Sequence, residues 1–169
     1  MGDYHSRLHQ LAGSFPLVEF FALTYITDPQ GNLLLIRKNE NSCWELPGGA
    51  MQPDESVFEC LQRTVLSVTN VFIEKGMLIQ LFSDGELNYI DEDSANITPV
   101  YAVFIPTSVH GSLRISREKP VEFRFFASWN IPTDKIFPPM LGAIQYYQQH
   151  FPEGIPLQPL DLDQFAGYG

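Results

Sequence analysis

Residues 44–49, WELPGG, place a rigid proline ahead of two glycines without side chains. Such a loop lets a ligand or an ion meet backbone groups at close range. The stretch that follows, AMQPDESVFECLQRTVLSVTN over residues 50–70, has the length and apolar spacing of a helix. Amides at a helix N-terminus favour anions, so loop and helix together describe a place for a phosphate. Asp54 and Glu55 in the first turn would occupy part of that positive field themselves. No Gly-Lys-Ser/Thr triplet follows, which excludes a loop of the Walker type. Taken alone, the loop fits a structural turn better than a ligand site.

Other side chains with chemical potential are dispersed. Arg37, Lys38, Arg63, Arg114, Arg117 and Arg124 could converge on a small phosphorylated ligand, although most read as surface charge. His5 and His9 stand at i and i+4, a spacing that can hold a transition metal; they read here as a surface pair on a helix. Cys60 falls mid-helix and reads as packing. Cys43 and Cys60 are expected as reduced thiols in a chain without an export signal, which points to the cytoplasm.

Composition narrows the partners. The chain has 169 residues, 44% of them apolar, enough for one core. Ten Lys and Arg face twenty Asp and Glu, a net charge of −10 that repels nucleic acid. The longest apolar runs, 18–25 and 100–105, are far shorter than the roughly 20 residues that span a bilayer. No membrane partner is expected, and a homodimer is compatible with the sequence.

The elements that must position the loop follow from periodicity. Residues 4–12 have helical spacing, with Gly13 as a stop. LVEFFALTYIT (17–27) and LLLIRK (33–38) read as a hairpin around the turn DPQGN. Asp54 is the expected N-cap of a helix over 55–69, with Val57, Leu61, Val65 and Val68 as its apolar stripe and Glu59 in solvent. Residues 71–83 read as strand around a turn at Lys75-Gly76, and 83–96 as an acidic mobile loop or hairpin tip. Strands are expected at 97–106, in GSLRIS and in PVEFRFFASW, then a helix from Pro138-Pro139 to His150. This gives one α+β domain over 1–151 and an extended tail over 152–169.

With these residues in view, the stretch 44–71 resembles the Nudix box. That pattern runs Gly, any five, Glu, any seven, Arg-Glu, an aliphatic, any, Glu-Glu, any, Gly, an aliphatic. Gly49, Glu55, Arg63, Val65 and Val71 match it, whereas Thr64, Ser67, Val68 and Asn70 replace three Glu and the late Gly. The approach QGNLLLIRKNENSCWELPGG and the later GSLR and EKPVEFRFFASWNIP are also similar to members of the family, so the likeness covers residues 4–150. It implies an α/β/α sandwich around a mixed sheet. It also implies hydrolysis of a nucleotide-like pyrophosphate with Mg²⁺ or Mn²⁺ held by clustered Glu, which here are absent.

The resemblance makes Gly49, Glu55 and Arg63 the remnants of a catalytic box, and Arg37, Gly48, Gly49 and Arg63 the candidate ligand-binding residues. Glu118 and Glu122 are the secondary metal candidates, beside the acidic run Glu86, Asp91, Glu92 and Asp93. Three functions remain open: a nucleotide-binding protein with weak or lost hydrolysis and no cofactor, a metal-dependent hydrolase using acids from other loops, and a partner-binding module.

Overall fold

The computed structural model describes residues 3–119 and 121–155. Helix α1 (Asp3–Ala12) ends where Gly13 turns left-handed, φ 56°, and its N–H returns to the His9 carbonyl at 2.9 Å. Strand β1 (Leu17–Thr24) follows. The turn at 28–32 is built by Asp28, whose Oδ1 accepts from the Gln30 and Asn32 amides at 3.0 and 2.8 Å. It leads into β2 (Leu33–Arg37), and after the loop comes the three-residue β3 (Gly48–Ala50).

Helix α2 (Val57–Thr69) is capped by Ser56, not by the expected Asp54. Ser56 Oγ accepts from the Glu59 amide, and the Glu59 carboxylate accepts from the Ser56 amide at 2.7 Å. This reciprocal capping box outcompetes the earlier acid. Asp54 instead lies in the left-handed region, φ 64°, inside the turn before the helix.

Strand β4 (Val71–Ser83) runs without the expected turn at Lys75-Gly76. Register shifts there absorb the irregularity as bulges against β6. The acidic segment forms β5 (Tyr89–Ile90), which pairs with the start of the long β6 (Asn96–Gly111). GSLRIS is not a strand: β6 ends at Gly111, and β7 is confined to Glu122–Phe126. A short 3-10 turn, Pro138–Met140, precedes α3 (Leu141–His150).

The main sheet has the order β3-β1-β6-β4, with β5 added to β6. β1 and β6 are parallel and the other pairs antiparallel, so the sheet is mixed as expected. β2 and β7 form a separate antiparallel pair. The expected β1–β2 hairpin is therefore closed only at its tip, where Thr27 bridges Leu33, before the two strands part into different sheets.

Both faces of the sheet are covered. Leu23, Tyr101, Val103 and Ile105 face α3 through Ala143, Ile144 and Tyr147. The alternate residues Ala22, Ala102 and Phe104 face α2 through Cys60, Leu61 and Val65. Alternation of strand side chains accounts for the division. The result is a helix–sheet–helix sandwich of the α+β class, and Leu61 and Val65 are fully buried at about 1.5–3 kcal/mol each. Ile155 is buried in the α3-side core, while residues 156–169 of the expected tail lie outside the described residues. No helix among the described residues is long and apolar enough to cross a membrane.

One contact sets the position of the loop. Gly48 lies at φ 142°, and a Cβ there would sit 2.0 Å from the Ala22 carbonyl oxygen of β1. Gly48→Ala should cost more than about 3 kcal/mol, because backbone strain adds to a backbone clash. Gly142 in α3 has open space around its missing Cβ. Gly142→Ala should stabilise by about 0.5–1 kcal/mol. Urea unfolding of the two variants checks both signs.

Candidate functional site

The loop, the turn after it and α2 are locked together by one ion pair. Arg63 donates from Nε to Glu55 Oε2 at 2.9 Å and from Nη2 to Oε1 at 2.7 Å. The same Nη2 reaches the Ala50 carbonyl at 3.0 Å, and the Gln52 amide donates to Glu55 Oε1 at 2.7 Å. Two planar groups meeting in a fork give geometry as well as energy. The Arg63 guanidinium is the main reason that the Glu55 carboxyl is held below its ordinary range. The clamp borders a cavity of about 770 Å³ that Arg7, Gln52, Asp54 and Tyr4 also line.

Gly49 lies directly against α2: a Cβ there would approach Thr64 Cγ2 to 2.9 Å. Cys60 Sγ donates to the Gly49 carbonyl at 3.4 Å, and its thiol is pushed up to about 11, mainly by burial. The face of α2 nearest the loop thus presents Thr64, which is buried. Thr64 Oγ1 donates to the Cys60 carbonyl at 2.8 Å, and Ser67 Oγ donates to the Thr64 carbonyl at 3.0 Å. Both hydroxyl protons are spent on the helix itself, and Val68 offers no ligand atom. A hard divalent ion needs oxygen donors, usually including carboxylates. This donor set does not fit Mg²⁺ or Mn²⁺. Among the described residues, the clusters of three or more side chains that could grip a metal both contain His9, and neither contains a residue of α2.

The remaining sequence candidates lie elsewhere. Arg37 and Glu122 pair with each other across β2 and β7, at 2.7 Å from Nε and 3.0 Å from Nη2. Arg37 also stacks on Trp44, 4.4 Å from the ring centroid. Neither residue lines the cavity beside the clamp. Glu118 is exposed after the end of β6. Gly48, Gly49, Glu55 and Arg63 are brought together; Arg37, Glu118 and Glu122 are not.

Two acids stand out that the sequence reading passed over. Glu45, between the buried Trp44 and Leu46, lines a second cavity of about 370 Å³ with Lys38, Tyr89, Asp91 and Glu92. Burial, and then the neighbouring Glu92, push its carboxyl up to about 7. Its signal was its place between two core residues, which turns it to the opposite side. Glu19 on β1 is buried against His9, so the expectation of a surface histidine pair fails at His9, only 8% exposed. The reason is that α1 packs its histidine face onto β1.

The Nudix domain profile matches residues 21–142 of the chain, and so spans the loop, the clamp and most of the sheet. The chain belongs to the Nudix family. A MutT-like protein of Streptomyces ambofaciens is 32% identical over 75 residues, which are 44% of this chain and 49% of that protein. The chain thus aligns with about half the length of this curated relative. Among solved structures, the MutT NUDIX hydrolase of Burkholderia pseudomallei is similar with a TM-score of 0.58 at 22% identity, over 76% of this chain and 97% of that one. The MutT protein of Methanosarcina mazei Go1 reaches 0.60 at 21% identity, over 81% and 96%. At these identities the two structures speak to the fold.

Glu45 and Glu55 should respond to pH with opposite signs. Glu55 is depressed, so its contribution is present above the unfolded carboxylate value of about 4.3 and fades as pH falls through the lower native one. Glu55→Gln should cost about 1 kcal/mol at pH 7, and the difference should shrink in acid. Glu45 is raised, so the wild type loses stability as pH rises from the unfolded carboxylate value of about 4.3 through about 7. Glu45→Gln should melt close to the wild type at pH 4, below the unfolded carboxylate value of about 4.3, and above it at pH 8, as thermal unfolding at both pH values will show.

Proposed function

We propose that this Nudix protein binds a ligand of the nucleoside-diphosphate type and that its hydrolytic activity is weak or lost. The observation that carries this reading is the uncharged α2 face beside Gly49, set next to an intact Glu55–Arg63 clamp. A divalent ion there would meet neutral oxygens where several formal charges are required. The loop and the positive end of α2 still favour an anion. The cavity beside the clamp is lined by Arg7 and by Arg63, whose charge Glu55 shares, together with Asp54.

A second reading, a hydrolase whose acids come from other loops, draws support from Glu45, Asp91 and Glu92 around one cavity. Such an enzyme would still depend on Mg²⁺ or Mn²⁺. The two readings part on turnover. With nucleoside triphosphates, dinucleoside polyphosphates and nucleotide sugars in Mg²⁺ or Mn²⁺, binding should appear as a thermal shift while turnover stays far below the roughly 1 s⁻¹ at the low end of ordinary enzymes. Turnover at or above that rate, abolished by chelation, would overturn the proposal. Thr64→Glu, Ser67→Glu and Val68→Glu together should tighten Mg²⁺ binding at least tenfold by calorimetry, since carboxylates at i, i+3 and i+4 return to one helical face.

A further inference from the structure

Helix α1 carries two imidazoles one turn apart, and they face the same carboxylate. His9 Nε2 lies 2.5 Å from Glu19 Oε1, and His5 Nδ1 lies 3.5 Å from that same oxygen. Glu19 is 7% exposed and His9 8%, so this is an interior cluster. Both ring nitrogens of His5 and Nδ1 of His9 are closed to solvent and make no hydrogen bond. Burying polar nitrogens without partners is costly, and native structures generally satisfy such groups.

A proton alone accounts for only half of this. An imidazolium at His9 could serve Glu19 on one side and Asp91, 3.0 Å from Nδ1, on the other. It leaves His5 with two shielded nitrogens and only an oxygen that His9 already holds. One ion between the rings and the carboxylate satisfies all three residues at once. One ligand atom from each of His5, His9 and Glu19 lies within 4.8 Å of the others. Bonds of about 2.0–2.2 Å in a tetrahedral site need separations of about 3.4 Å, so His9 Nε2 and Glu19 Oε1, at 2.5 Å, move apart by roughly 0.9 Å to admit the ion.

We propose that His5, His9 and Glu19 form a binding site for a divalent ion of the zinc class. Imidazole with carboxylate is a donor set suited to zinc and its first-row neighbours, unlike the all-oxygen set that Mg²⁺ prefers. Asp91 takes the outer role: with Nε2 on the ion, the His9 Nδ1–H has a carboxylate beside it. Three protein ligands leave a fourth position for water or a ligand atom. It opens toward a cavity of about 370 Å³ lined by His5, Glu19, Tyr4, Met51 and Gln52. Gln52 in turn donates to Glu55 of the clamp, so the ion would pin α1 to β1 beside the loop.

The test uses the full chain without a histidine tag, with Cys43→Ser to remove the exposed thiol. Calorimetry with Zn²⁺ should give one saturable site of micromolar affinity or tighter, and Co²⁺ should give visible absorption bands of a low-coordinate site. His5→Ala and Glu19→Gln should each weaken binding at least tenfold, and Asp91→Asn by roughly tenfold or more. His110→Ala, far along the chain on β6, should change nothing. Zn²⁺ should raise the melting temperature of the parent and leave that of His5→Ala unmoved. Because His5 is only partly buried, this variant is expected to fold, as circular dichroism will verify. Absence of a saturable site in the parent, or undiminished binding in folded His5→Ala, would overturn the proposal, and neither result bears on nucleotide turnover.

Discussion

The close approach of the Gly48 backbone to β1 is the constraint on which the site depends. The antiparallel pairing of Leu23 with Gly48 and of Ala22 with Gly49 brings the loop so near that no side chain fits at residue 48. β1 cannot yield, because β6 flanks it on its other edge and core side chains press on both faces. With the loop fixed, Gly49 meets Thr64, and this contact sets which face of α2 looks at the loop. The Glu55–Arg63 pair then holds the intervening turn across residues 50–55. Geometry passes from sheet to loop to helix by contact.

Such a scaffold separates two properties that a Nudix box normally combines. Gly49, Glu55 and Arg63 give shape, and their partners are all protein groups. Clustered carboxylates give charge, and their partner would be an ion. The shape is complete here, while positions 64, 67 and 68 carry no charge. The proposed loss of hydrolysis rests on this separation: a fold can keep its loop when the electrostatic purpose of the helix face has gone, since fold and function are not bound together.

Much of the fold was legible because it is local. The α2 stripe of Leu61 and Val65, the Gly13 stop and the strand character of 17–24 all follow from period and turn chemistry. The misreadings share a different cause. Asp54 and Ser56 both suit an N-cap, and only the reciprocal bond from Glu59 decides between them. A bulge at Lys75-Gly76 looks like a turn until β6 is seen pairing on either side of it. Glu55 and Arg63 could be linked through a recognisable spacing. The pairing of Arg37 with Glu122, 85 residues apart, could not, and neither could the burial of Glu19 against His9. Those contacts are set by how distant strands and helices meet.

The replacement at Thr64 has its own physical logic. This position is 7% exposed and packs on Gly49. A carboxylate there, without a cation, would carry a desolvation cost that its neighbours could not offset, because the Arg63 guanidinium is already committed to Glu55. Threonine removes that cost: its methyl fills the space against the glycine and its hydroxyl is satisfied by the helix carbonyl at Cys60. Functional carboxylates are commonly held at the expense of stability. Once an ion no longer binds, the uncharged residue is the more stable choice at that site. On the proposed reading, Thr64 makes of this part of the α2 face an ordinary helix–loop contact.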